Sequence, residues 1–114
     1  MSLYRFIASQ RELEDLQELH ITTITDSTKA SVFTDKKNLA TIEFDYNDDN
    51  AEKLIAYIKE HLKICPRIEL WNTTSSNKDA IITKCSKNIL TKEQIKEVFD
   101  NTLDQTKCLV VYNA

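Results

Sequence analysis

The chain of 114 residues contains no glycine. That one absence excludes a group of familiar sites. A phosphate-binding loop or a dinucleotide fingerprint needs glycines so that backbone can approach phosphate closely. A nucleophile elbow needs them to relieve a strained turn. Left-handed backbone positions are expected to fall to Asn or Asp, which tolerate that conformation best among the other residues. Cysteine is scarce too. Three residues, an odd number without framework or knuckle spacing, fit free thiols in a reducing compartment. No apolar run approaches membrane-spanning length and no signal-peptide pattern opens the chain, so a cytoplasmic location and no membrane partner are expected. A dense Lys/Arg run is missing as well. With 15 basic and 18 acidic residues the net charge is −3, and no nucleic-acid partner is expected.

What is present describes a globular chain. Apolar residues make up 41% and charged residues 29%. Size scaling for such a chain buries roughly two-thirds of its surface, enough for a core without staples, so residues 1–114 are read as a single domain.

Periodicity supplies the elements. "LYRFIAS" alternates as a strand, with Tyr4, Phe6 and Ala8 on one face and Leu3, Arg5 and Ile7 on the other. In "SQRELEDLQELH" the Ser9/Glu12 capping-box spacing and the leucines 13, 16 and 19 suggest a short helix. Residues 20–38 show no clean period and read as an excursion with a short strand near Ser31–Thr34. "LATIEFDY" is a strand whose apolar face holds Ala40, Ile42, Phe44 and Tyr46. "NDDN" then caps a helix over about 51–63, and Pro66 prevents its continuation. "RIELWN" and "AIITKCS" are strands, predicted to form an antiparallel hairpin turning within Thr74–Asp79, with Asn77 at a left-handed position. Ile68, Leu70 and one of Ile81 or Ile82 are expected to point into the helix-covered core. Thr91 and Gln94 box the start of a helix over about 91–102, with a Leu90–Ile95 staple, and "CLVVY", apolar on both faces, is an interior strand. The sum is an α+β two-layer sandwich. A mixed or mostly antiparallel sheet of four to six strands should carry both main helices on one face.

The run "IEFDYNDDNAEKLIAYIKEHLK", then "IELW", "LTKEQIKEVFD" and "CLVVY", resembles a loose group of small bacterial proteins without an assigned activity. The resemblance covers about residues 39–114. It implies the order strand, helix, strand, hairpin, capped helix, strand, and no chemistry.

Several constellations invite a chemical reading. "DYNDDN" places Asp45, Asn47 and Asp49 like the first ligands of a calcium loop. Asn50 stands where that loop needs glycine and Ala56 where it needs a bidentate Glu, so a strand end plus helix cap is the better reading. His61 and Cys65 lie at a predicted helix C-terminus, where the dipole disfavours thiolate, and no third residue orients the pair. A zinc set of His61, Cys65, Cys85 and Cys108 lacks ligand spacing. No catalytic residue, metal or cofactor is therefore assigned.

Two features remain as candidate interface. Glu43, Asp45, Asp48 and Asp49, with Glu52, either complement the helix dipole or form an anionic surface that steers a basic partner. Trp71 shares a strand face with Arg67 and Glu69. It is either covered by the 9–38 segment, exposed as an interface anchor, or a stacking platform for a small ligand. The function expected is a non-catalytic protein-interaction or regulatory module, with an acidic inhibitor or immunity-type protein as one form of it. Its partner would be another protein or a second copy. The alternative is a small-ligand-binding protein or small enzyme with a pocket between the sheet and residues 9–38.

Overall fold

The computed structural model describes residues 5–24, 34–75, 79–102 and 104–113. Its strands are β1 (Arg5–Ser9), β2 (Ile21–Ile24), β3 (Asn38–Ile42), β4 (Arg67–Asn72), β5 (Ala80–Ser86) and β6 (Thr106–Tyr112). Its α-helices are α1 (Asp48–His61) and α2 (Lys92–Phe99). The strands form one mixed sheet in the order β2-β3-β1-β4-β6-β5, antiparallel except for the β5–β6 pair.

Local chemistry sets the helices. The Asn47 side chain accepts the Asn50 N–H at 2.7 Å, so α1 starts one turn before the predicted position 51. Asp48 and Asp49 occupy its first turn and Lys59 its last, as the macrodipole favours. At α2 the predicted capping box forms, with the Thr91 N–H donating to Gln94 Oε1 at 2.7 Å. The helix stops short of residue 102 because Asp100 turns extended and its carboxylate accepts the Thr102 N–H at 2.9 Å.

Both helices pack on one face of the sheet, as expected for the sandwich. Leu54 and Ile58 of α1 and Ile95 and Val98 of α2 share a buried cluster with Ile7, Ile42, Ile68, Leu70, Leu109 and Val111. Phe44 and Tyr46 keep the alternation of β3 into the same cluster, although the ladder itself ends at Ile42. The opposite face has its own cluster of Phe6, Ala8, Leu39, Trp71, Cys108 and Val110. Each large apolar side chain buried this way contributes about 1.5–3 kcal/mol. Among the described residues no helix is long and apolar enough to cross a membrane.

Four expectations need correction. The helix over residues 9–20 is absent; only a 3₁₀ turn at Gln17–Leu19 forms. Side chains from α1 take the backbone instead: Tyr57 OH donates to the Glu14 carbonyl at 2.6 Å, and the Glu14 N–H donates to His61 Nε2 at 3.2 Å. Leu13 and Leu19 are nevertheless buried, so the leucine spacing reports burial without helix. The 20–38 excursion contains β2, which no period announced. Of the strand expected near Ser31–Thr34, only Thr34 lies within the described residues, and it is outside any strand.

The predicted hairpin is also wrong. β4 and β5 run antiparallel but are not neighbours, because β6 lies between them. β6 buries Leu109 and Val111 on one face and Cys108 and Val110 on the other, so the interior slot suits it better than β5. Neither Ile81 nor Ile82 reaches the core. Finally, the left-handed residue among those described is His20, at φ 51°, and neither Asn nor Asp. Its N–H closes the 3₁₀ turn onto the Gln17 carbonyl. Asn77 lies outside the described residues.

Candidate interaction site

The site emerges from how α2 covers the sheet. This helix is eight residues long and packs over β4 and β6, which leaves Ile81 and Thr83 on the inner face of β5 uncovered while Cys85 on that face is buried. A groove of about 340 Å³ opens there. Leu109 and Val98 line it with Ile81 and Thr83, Gln94 and Glu97 border it on the helix side, and Lys84, Gln105 and Lys107 complete its rim.

The outer edge of β5 is open as well. Along its whole length β5 pairs with β6, from Ala80↔Thr106 to Ser86↔Tyr112 without a bulge. Among the described residues no strand pairs with its other side, and no backbone hydrogen bond outside the ladder reaches Ala80–Ser86. An edge strand turns alternate N–H and C=O groups away from the sheet, where they can accept a further strand. Ile81 and Ile82 are 53% and 56% exposed at this edge. The register puts Ile81 beside Lys107 on the groove side, and Ile82 beside Cys108 on the far side. Lys84 and Lys87 make no ion pair among the described residues. Lys107 differs, since its ammonium donates to the Glu97 and Asp100 carbonyls at 2.8 and 3.0 Å and caps α2.

The opposite edge is closed by the chain itself. Ile21 exchanges both backbone hydrogen bonds with Leu16 at 3.0 Å, and the Thr23 N–H donates to Asp15 Oδ1 at 2.7 Å. Hydrogen bonds from the backbone and side chain of Thr23 hold the Asp15 carboxyl below its ordinary pKa.

The residues singled out from the sequence do not gather into one surface. Trp71 lies on the face away from the helices, as its alternation implied, but is only 4% exposed. Its ring stacks on Phe6 at 6.0 Å, and its Nε1–H donates to Glu69 Oε1 at 2.8 Å. The hydroxyl of Thr34 donates to the same oxygen at 2.6 Å, tying the end of the excursion to this face. The indole is therefore covered, and does not stand at the surface as an anchor. Arg67 is exposed at the other end of β4.

Glu43, Asp45, Asp48 and Asp49 are exposed around the start of α1. Much of the charge there is matched internally. Asp49 pairs with Lys53 at 3.5 Å, Glu52 with Lys92 at 3.3 Å, and Asp48 accepts the Tyr46 hydroxyl at 2.9 Å. A wider, open cleft of about 780 Å³ lies between Tyr46, Asp48 and α2, lined by Lys92, Lys96, Glu93 and Phe99. Charges of both signs alternate around it without a buried polar focus. Between the sheet and the 9–38 segment, a hollow of about 300 Å³ is lined by Glu12, Leu13, Thr23, Ile24, Asn38 and Leu39.

His61 and Cys65 have separate partners. His61 Nδ1 lies 2.8 Å from the Tyr57 carbonyl and so carries the proton, while Nε2 accepts from Glu14. Cys65 Sγ contacts Ser9 Oγ at 3.2 Å and donates to the Arg67 carbonyl at 3.0 Å. Burial pushes the Cys65 thiol up, but hydrogen bonds from Ser9 and from backbone at Arg67, Gln10 and Arg11 outweigh it and leave it below its ordinary value. Burial raises Cys85, and burial with the nearby Glu69 raises Cys108 strongly. Among the described residues no three His, Cys, Asp or Glu side chains gather as a metal would require.

No protein-family model, curated protein or solved structure matches this chain. Its own geometry is thus the sole guide to the site. The β5 edge was missed in the sequence because the hairpin reading paired β5 with β4 and did not ask which strand would lie at the sheet's edge. One signal was available: "AIITKCS" carries Thr83 and Lys84 mid-strand, whereas "CLVVY" is apolar on both faces.

Proposed function

We propose that the chain is a non-catalytic protein-interaction module that takes an extended segment of a partner along β5. The observation that carries this reading is the open, unbulged edge of β5 beside an apolar groove, in a sheet whose other edge is closed. Strand addition would supply main-chain hydrogen bonds, and the groove would select one side chain. Exposed Ile81 and Ile82 would be buried on the two faces of the added strand.

The acidic residues Glu43, Asp45, Asp48 and Asp49 support an inhibitor-like reading less well, since Lys53 and Lys92 already neutralise part of that surface. The enzyme or small-ligand alternative gains nothing from the hollow by Leu13 and Ile24, which holds no buried acid, base or nucleophile.

The test is selection of peptides from a displayed random library on the immobilised chain, followed by amide shift mapping with a selected peptide. Shifts should concentrate at Ala80–Ser86 and at α2, and spare Ile21–Ile24. Selected peptides that map to the acidic residues or to the Leu13–Ile24 hollow would refute it.

A further inference from the structure

Resting on that reading, we infer that the partner segment is acidic as well as apolar, with carboxylates alternating with the side chain that enters the groove. The argument is one of charge. The chain as a whole carries −3, yet the stretch from Ala80 to Ile89 contains two lysines and no acid. Lys84 is exposed and Lys87 half-buried, and neither has an ion-pair partner among the described residues. Elsewhere Lys36, Lys53, Lys63 and Lys92 pair with carboxylates of their own chain, while Lys37, Lys59 and Lys96 make no ion pair among the described residues. The edge is a basic strip on an acidic protein.

Strand geometry then assigns the pattern. Successive side chains of an added strand alternate between the groove face and the far face. On the groove face lie Ile81 and Thr83, with Val98 and Leu109 beneath. On the far face the register sets Lys84 beside Val110 and next to Ile82, and Lys84 also lines the rim of the groove. An apolar residue fits the first face, and an acidic residue beside Lys84 fits the second, because opposite charges on adjacent strands attract and like charges repel. Lys84 disfavours a second copy on this edge, since two β5 strands paired about their centre would bring each Lys84 near its counterpart. A lysine on an exposed edge blocks indiscriminate pairing and leaves the edge open to a carboxylate-bearing segment.

The experiment uses two end-capped synthetic peptides, one alternating valine and glutamate and the other alternating valine and lysine. Binding is followed by titration calorimetry and by the amide shifts of Ala80–Ser86. The glutamate peptide should bind at least several-fold more tightly than the lysine peptide, and the preference should shrink as salt rises. Lys84→Glu should invert the ranking, and Lys84→Gln should flatten it; circular dichroism checks that both variants fold. If both peptides shift the β5 amides with equal affinity, edge docking stands and the acidic-partner inference falls. If neither shifts them, both readings fall. Sedimentation of the wild type as a dimer that Lys84→Glu disrupts would make the occupant a second copy and overturn the inference.

Discussion

At one edge of the sheet, β2 is four residues long, and its outward groups end on Leu16 and Asp15 of the same chain. At the other, β5 is seven residues long, carries two exposed isoleucines, and among the described residues has no backbone partner beyond β6. Ile21 in β2 is 1% exposed, whereas Ile81 in β5 is 53% exposed. β2 is β-branched throughout and β5 at three of its seven positions, but strand propensity does not decide whether an edge is covered. What separates them is whether the chain folds back. The segment before β2 doubles over that edge and is held by Tyr57 and His61 of α1. After β5 the chain leaves at once through a 3₁₀ turn toward α2. An open edge is a liability unless it is blunted or used, and the proposed strand addition would give this one a use.

The largest expected effect lies between the edges. Trp71→Ala should cost about 3–5 kcal/mol, because the ring is buried against Phe6 and its N–H is bonded to Glu69. Denaturant titration measures it. A loss of association without a loss of stability would return Trp71 to the role of surface anchor and move the interface off β5. Next is Ile21→Ala at the closed edge, expected to cost about 2–5 kcal/mol by the same titration. A cost below about 1 kcal/mol, well under that range, would mean that β2 is not packed as described.

A smaller, local effect concerns acid. The Asp15 carboxyl is held below its ordinary pKa by Thr23, so it contributes stability above its unfolded value of about 3.9. That contribution is lost as the pH falls through the still lower folded value. Protection of the Thr23 amide should therefore drop in strong acid, and Asp15→Asn should remove this pH dependence without changing protection at Ala80–Ser86. The smallest effect is at the open edge. Ile82→Ala should change stability by no more than about 0.5 kcal/mol, as for an exposed surface position, and should weaken capture of a bound segment. A large stability loss would show that β5 is covered.

The two-layer sandwich was legible because its signals are local. Asn47, Thr91 with Gln94, and the Leu54–Ile58 stripe each act within a turn or two of chain. β4, β5 and β6 could be bounded as short runs rich in apolar and β-branched residues between polar stretches. Strand order was not legible in the same way, since it depends on competition for the interior slot. Residues 73–79 are short enough for a hairpin, yet "CLVVY" claims the place beside β4 by burying both of its faces. The 9–20 segment misled for a related reason. Leu13, Leu16 and Leu19 mark burial correctly, but the backbone groups of Glu14 were claimed by Tyr57 and His61, more than forty residues away in sequence. The candidate edge depends on that long-range arrangement, so it could not be read before the fold. The acidic residues around α1 were legible as charges, while their pairing with Lys53 and Lys92 was only partly so.

Amide hydrogen exchange on the free protein, resolved residue by residue, tests the difference between the two edges most directly. Along Ala80–Ser86, protection should alternate: amides directed at β6 exchange slowly, and those directed outward exchange near their unprotected rates. Ile21 and Thr23, outward-facing at the other edge, should both be protected. Uniform protection along β5, equal to that of β4, would contradict the account, because an edge already covered has nothing left to offer a partner.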